Sequence, residues 1–321
     1  MAINERLIDT AEEAANGNGG AGTGNQEEGL ILHLDANDVD SYDGDGSVWY
    51  DITNHEYTPA VDPAENFNTV TYTGNGTTDT TEQSITGVGF QPDLVWIKNR
   101  GETRNHVLVD SLRKTGNLLD ELHTNTNDAA NTTGTDNVKT MDSDGFTVLG
   151  KGSETNDSGD TFVAWCFKAG GAAVSNTDGD INSNVSVNND LGFSIVSYTG
   201  NSGTGQTVGH GMDVPPELVI VKRTNVARDW RVYAKPLGAT KYLDLNESNA
   251  AGTFGSWNNT HPTATVFSTS DGTDTATNNN NDTYVAYCFA SKRGVSKVGS
   301  YIGTGSSGNK IYTGFEPAFV M

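Results

Sequence analysis

Basic residues are scarce in this chain. Nineteen Lys and Arg stand against 41 Asp and Glu, a formal net charge of −22. Phosphate recognition needs clustered cations, and no basic run is present, so nucleic-acid binding and attachment to an anionic membrane surface are not expected. The acidity suits solubility in salty surroundings or the binding of divalent cations. Cysteine is rarer still. Two in 321 residues make no disulfide framework. No apolar run approaches the roughly 20 residues that span a bilayer, so no membrane insertion is expected. The start, Met1-Ala-Ile-Asn-Glu-Arg6, lacks the basic and apolar stretches of a secretory signal, which predicts a protein made in a cytoplasm.

Catalytic motifs are missing too. No Gly-x-Ser-x-Gly elbow occurs. Gly145–Lys151 fits Gly-x4-Gly-Lys, but Gly152 stands where a phosphate loop needs a metal-binding hydroxyl. His33, His55, His106, His123, His210 and His261 are scattered singly, with no nearby Cys or second His, which argues against a zinc site. No carboxylate pair is marked out for glycoside cleavage, and no nucleophile, base and orienting group come together in sequence. No enzyme activity is expected.

What the chain has instead is repetition. Thr71-Tyr-Thr-Gly-Asn75 returns as Ser197-Tyr-Thr-Gly-Asn201. Phe90-Gln-Pro-Asp-Leu-Val-Trp-Ile-Lys98 returns as Val214-Pro-Pro-Glu-Leu-Val-Ile-Val-Lys222, and again as Phe315-Glu-Pro-Ala-Phe-Val-Met321. Asp160-Thr-Phe-Val-Ala-Trp-Cys-Phe167 returns as Asp282-Thr-Tyr-Val-Ala-Tyr-Cys-Phe289. The offset is 124 from Pro92 to Pro216 and from Asp120 to Asp244, and 122 from Cys166 to Cys288. A unit of that size is too long for a solenoid repeat, so each copy should own a core.

The only helix expected spans 3–15, with Ile3, Leu7, Ile8, Ala11 and Ala15 near one face. It is marginal alone in water and should dock on a partner or on copies of itself. Ile3, Leu7, Ile8 and Ala11 are the candidate anchoring residues. A Gly-rich linker covers 16–28. Opening strands and a loop occupy 29–66, β module 1 spans 67–170, a linker 171–192, β module 2 spans 193–293, and 294–321 begin an incomplete third module. Abundant Gly, Asn, Thr, Ser and Asp between short apolar runs predict an all-β fold of tandem β-sandwich modules. Each module should open on Phe67–Tyr72 or Phe193–Tyr198 and close on Phe162–Phe167 or Tyr284–Phe289. The closing strand is apolar on both faces and should lie covered on each side, with Cys166 and Cys288 as buried free thiols. The stretches Arg113–Leu122 and Leu237–Leu245 fit a helical turn or a strand equally.

Two further sets of residues invite chemistry. The loop carrying Asp35, Asp38, Asp40, Asp43 and Asp45 offers hard oxygen ligands for calcium, and Asp178-Gly-Asp180-Ile-Asn182 is a weaker version. Trp257, in the polar segment Gly255-Ser-Trp-Asn-Asn-Thr-His261, is a candidate to stack on a sugar. His106 aligns with Trp230, which suggests packing.

Gly29-Leu-Ile-Leu-His-Leu-Asp-Ala-Asn37 with Val48-Trp-Tyr-Asp-Ile52 resembles the opening of laminin-G/concanavalin-like lectin modules in bacteriophage structural proteins. Residues 67–321, through the repeated motifs above, resemble the tandem β modules of virion and tail-fibre-like proteins of marine phages. The resemblance implies jelly-roll or lectin-like sandwiches and a place in the virion. It supplies no catalytic residues. The expectation is a tail or head fibre held to other virion proteins by the helix at 3–15, contacting host surface glycan as a homotrimer. A capsid decoration protein without a receptor and a polysaccharide depolymerase are the alternatives.

Overall fold

The computed structural model describes residues 62–133 and 137–321. The helix at 3–15, the Gly-rich linker, the lectin-like opening and the acidic loop lie outside the described residues. Within them the chain is all β, built from antiparallel sheets, with no α-helix.

The first copy contains β1 (Phe67–Thr73), β2 (Glu82–Thr86), β3 (Leu94–Asn99), β4 (His106–Asp110), β5 (Lys114–Thr115), β6 (Leu118–Leu119), β7 (Leu122–His123), β8 (Val138–Asp142), β9 (Gly145–Leu149) and β10 (Thr161–Phe167). Its main sheet runs β1-β10-β3-β4-β7, and β2-β9-β8 form a smaller sheet. The second copy contains β11 (Val174–Asn176), β12 (Ser183–Asn188), β13 (Phe193–Thr199), β14 (Thr207–Gly209), β15 (Leu218–Arg223), β16 (Arg231–Ala234), β17 (Leu243–Asp244), β18 (Val266–Ser268) and β19 (Thr283–Phe289). Its main sheet runs β11-β12-β13-β19-β15-β16-β17, beside a two-stranded sheet of β14 and β18. Residues 171–192 are therefore not a linker throughout. Asn184-Val-Ser-Val187 alternates polar and apolar, so β12 pairs with β13 and buries Val185.

Strand alternation sorts the apolar residues into two faces. In the first copy Val95, Ile97, Phe162, Ala164 and Cys166 meet Ile85, Phe146 and Val148 of the smaller sheet. In the second, Val219, Val221, Tyr284, Ala286 and Cys288 meet Val208 and Phe267. Both cysteines are fully buried and free. The opposite faces carry Leu94, Trp96, Trp165 and Phe167 in one copy and Leu218, Ile220, Tyr287 and Phe289 in the other, and these form a single cluster. The two main sheets thus lie back to back through the same face of each copy. Phe167 and its counterpart Phe289 face one another with centroids 6.1 Å apart, and Phe167 meets Phe193 at 5.5 Å. This explains why β10 and β19 are apolar on both sides. One side fills a module core and the other fills the contact between modules.

The repeated Tyr-Thr-Gly-Asn motif has one structural job in both copies. Tyr72 donates its hydroxyl to Thr155 O, and Tyr198 to Thr277 O, each at 2.7 Å. Both rings stack on the neighbouring closing strand, Tyr72 on Phe162 and Tyr198 on Tyr284. The glycine lets the backbones touch: a Cβ on Gly74 would stand 2.2 Å from Asp157 O, and one on Gly200 2.3 Å from Asn279 O. The ambiguous middle resolves differently in the two copies. It forms the β5–β6 hairpin and β7 in the first, and a 3₁₀ turn at Lys235–Leu237 before β17 in the second.

Residues 294–321 form no strand. In both full copies the opening strand pairs with the closing strand, and this segment contains no closing strand to pair with. Phe319 instead packs on the first copy, with Trp165 at 5.4 Å and Phe67 at 5.9 Å. Tyr301, Ile302, Tyr312 and Val320 are exposed.

Candidate metal centre

The residues singled out in the sequence fare unevenly. Trp257 is 2% exposed and packs edge-on against Tyr233 at 5.9 Å in the core of the second copy. Its ring has no face free to stack on a sugar, which corrects the expectation; a single Trp in a polar segment turns inward because its large apolar area outweighs its neighbours. Ile3, Leu7, Ile8 and Ala11, and Asp35, Asp38, Asp40, Asp43 and Asp45, lie outside the described residues. Asp178 bonds with Asn176 in a local turn, and Asp180 accepts from the backbone and hydroxyl of Thr207 at 3.1 and 2.8 Å, which ties its loop to β14, so both are engaged in structure. Gly145–Leu149 is strand β9, with no helix after it to cradle a phosphate.

A different trio comes together. Glu121 sits between β6 and β7, its backbone held by Asn131 through two hydrogen bonds of 3.0 and 2.9 Å. His123 is two residues on, in β7. Leu122, between them, is buried in the contact between modules, so Glu121 and His123 share the other side of the chain. Glu154 arrives from the loop joining β9 to β10. Asn156 fixes that loop by donating to Gly150 O at 2.8 Å. His123 Nε2 then lies 2.7 Å from Glu121 Oε1 and 3.0 Å from Glu154 Oε2. Asn105 Nδ2 donates to the other oxygen of Glu154 at 2.8 Å, and Asn125 Nδ2 donates to Asn105 Oδ1 at 2.9 Å. Among the described residues this is the group of His, Cys, Asp and Glu side chains close enough to share one ion.

The electrostatics follow from the geometry. Burial alone would lower the imidazole pKa, but hydrogen bonds and charges from Glu121 and Glu154 outweigh it and raise it to about 10. The Glu154 carboxyl is held below its ordinary value, chiefly by the hydrogen bond from His123. One imidazole nitrogen bracketed by two carboxylates has two chemical uses. It carries a proton as an imidazolium clasp, or it loses the proton and joins the carboxylates around a divalent cation.

Next to the trio, Trp96, His106, Thr124 and Asn125 of the first copy and Leu245–Ser248 of the second line an open groove of about 450 Å³. His106 is half-buried, its pKa lowered by burial and by Lys98. The other strongly perturbed groups are spent on structure. Arg113 donates Nε to Asp110 at 2.8 Å within the first copy, and Tyr287 donates its hydroxyl to the same carboxylate at 2.7 Å across the contact between modules. Asp274 is tied to Arg231 and Ser256 in the second copy; those hydrogen bonds and the Arg231 charge overcome burial and lower its pKa.

His123 has no second His or Cys near it in sequence, so the trio is not marked by the usual spacing of metal ligands. The readable signal was a carboxylate two residues before a histidine in a strand, which places both on one side; Glu154, 31 residues further on, gave no signal at all.

The chain belongs to the family described as Domain of unknown function (DUF7483), which it matches over residues 62–321. No curated protein and no solved structure matches it.

Proposed function

We propose that the chain is a structural protein of a bacteriophage virion, part of a tail or head fibre, and a binding protein rather than an enzyme. The observation that carries this reading is the back-to-back pairing of two copies of one β module into a single body. Such a body is a stiff spacer by construction: each large aromatic or aliphatic side chain buried between the sheets contributes about 1.5–3 kcal/mol. The jelly-roll or lectin-like character of each module belongs to the same reading, as do an anchor at 3–15, assembly as a homotrimer, and calcium in the acidic loop.

Contact with host glycan, if made by the described residues, falls to the groove between the modules. Trp96 supplies an aromatic wall there, and Asn125, Asn246, Glu247 and Ser248 supply donors and acceptors that fix a hydroxyl-rich ligand. The burial of Trp257 favours the second reading, a decoration protein that touches no receptor.

Antibody against the purified chain, applied to intact particles, tests the virion assignment. Label on projections is expected; absence of the chain from purified particles overturns it. Labelled trimerised modules incubated with host cells then separate the two readings. Saturable binding competed by host glycan and lost in Asn246→Ala/Glu247→Lys supports the fibre, and equal background on host and non-host cells leaves the decoration protein.

A further inference from the structure

We propose that Glu121, His123 and Glu154 form a binding site for one divalent transition-metal ion, Zn²⁺ being the best fit. The donor set is one imidazole nitrogen and two carboxylate oxygens, which suits zinc and leaves a fourth position for water. The side chains of His123 and Glu154 are 18% and 24% exposed, so that position opens to solvent, whereas Glu121 is 4% exposed.

Three features support an ion. The first is distance. Nε2 stands 2.7 and 3.0 Å from the two carboxylate oxygens. A tetrahedral ion with bonds near 2.0–2.1 Å wants donors about 3.3 Å apart, so the two carboxylates need to draw back from Nε2 by about 0.6 and about 0.3 Å. The second is orientation. Asn105 holds the outer oxygen of Glu154, Asn125 holds Asn105, and the Asn131 bridge pins the Glu121 backbone. Ligating carboxylates characteristically carry such supporting hydrogen bonds. The third is the repeat itself. The second copy has Leu245 and Glu247 at the positions of Glu121 and His123, and Ala276 at that of Glu154. It makes the same fold without any of the three ligands, so the module does not need the trio to fold. A neutral imidazole and two carboxylates balance the charge of M²⁺, and binding expels the proton from Nε2 to solvent. The ion would staple the loop between β9 and β10 to strand β7, beside the groove between the modules. This site stands apart from the virion role and survives its failure.

The test uses the full chain, stripped with a chelator and titrated with Zn²⁺ against a chromophoric competitor, with excess Ca²⁺ present to fill oxygen-only sites. Wild type is expected to bind one more Zn²⁺ than His123→Gln, and to gain thermal stability that the variant does not gain. Glu154→Gln, in a partly exposed loop that should fold normally, is expected to weaken that binding at least about tenfold. Co²⁺ in the same site should give visible absorption, absent from His123→Gln. Unreactive native thiols in each variant confirm that it is folded. Equal stoichiometry and affinity in wild type, His123→Gln and Glu154→Gln would overturn the proposal and leave the trio as an imidazolium clasp alone.

Discussion

Two buried tryptophans in the second copy offer a matched pair of perturbations. Trp230 is fully buried, and its Nε1–H is shared between His123 O at 3.0 Å and Thr126 O at 3.2 Å, both in the first copy. Trp257 is equally buried, but its Nε1–H has no hydrogen-bond partner. Replacing either by Phe keeps an aromatic ring and removes comparable volume, a loss of about 1–2 kcal/mol. Trp230→Phe also leaves Thr126 O without its indole donor and His123 O with only the bond from Thr126 N–H at 3.4 Å, adding about 1–3 kcal/mol, whereas Trp257→Phe removes a buried donor that was never satisfied and recovers about as much. The expected totals are about 2–5 kcal/mol of destabilisation for Trp230→Phe and about −2 to +1 kcal/mol for Trp257→Phe. Urea unfolding followed by far-UV circular dichroism measures both, since fluorescence would change with the substitution itself. Unchanged m-values would show that the shift is one of stability. A Trp257→Phe variant as unstable as Trp230→Phe, or more so, refutes the reasoning, because nothing else in the packing of the two rings predicts that order.

Lys222 is fully buried between carbonyls of Asn127 and Arg228, and burial lowers its pKa to about 8. The unfolded chain keeps its lysine protonated up to about pH 10.4, so from pH 8 upward it holds a proton that the folded chain has released. Wild type should therefore gain stability relative to Lys222→Met as pH rises through that window, by up to about 3 kcal/mol; denaturation midpoints that run parallel from pH 7 to 10 speak against it. Cys166 and Cys288, both pushed up to about 12 by burial, should ignore a thiol reagent in the native protein and give two thiols after denaturation. Gly200→Ala should lower the melting temperature by several degrees, since its Cβ would meet backbone that cannot step aside, whereas Gly238→Ala has open space around it and pays only the backbone cost of a positive φ.

Much of this architecture was legible because the chain states it twice. Opening and closing strands, buried thiols and the doubly apolar β10 and β19 follow from local alternation, and repetition filtered out accidents. What stayed illegible was non-local. Nothing in Trp165 or Tyr287 says that the second apolar face meets another module rather than solvent or a partner chain. The pairing of β12 with β13 rests on two valines in a polar stretch. Trp257 looked exposed because its neighbours in sequence are polar, while its neighbours in space are Tyr233 and Phe267. The trio of Glu121, His123 and Glu154 depends on a loop closing from 31 residues away, which no spacing rule records.

The use of one face by both copies has a consequence for how such a chain can grow. A surface that recognises itself is used up once two copies meet, unlike a head-to-tail contact, which always leaves an end free. Units of this kind count in pairs. Joining the two in one polypeptide also makes their meeting indifferent to dilution, because the tether holds the local concentration near the millimolar range however few molecules are present. The halves are then released from having to remain alike. One has drifted toward a histidine ringed by carboxylates, the other toward an arginine buried among aspartates, and the handshake between them holds while the rest diverges.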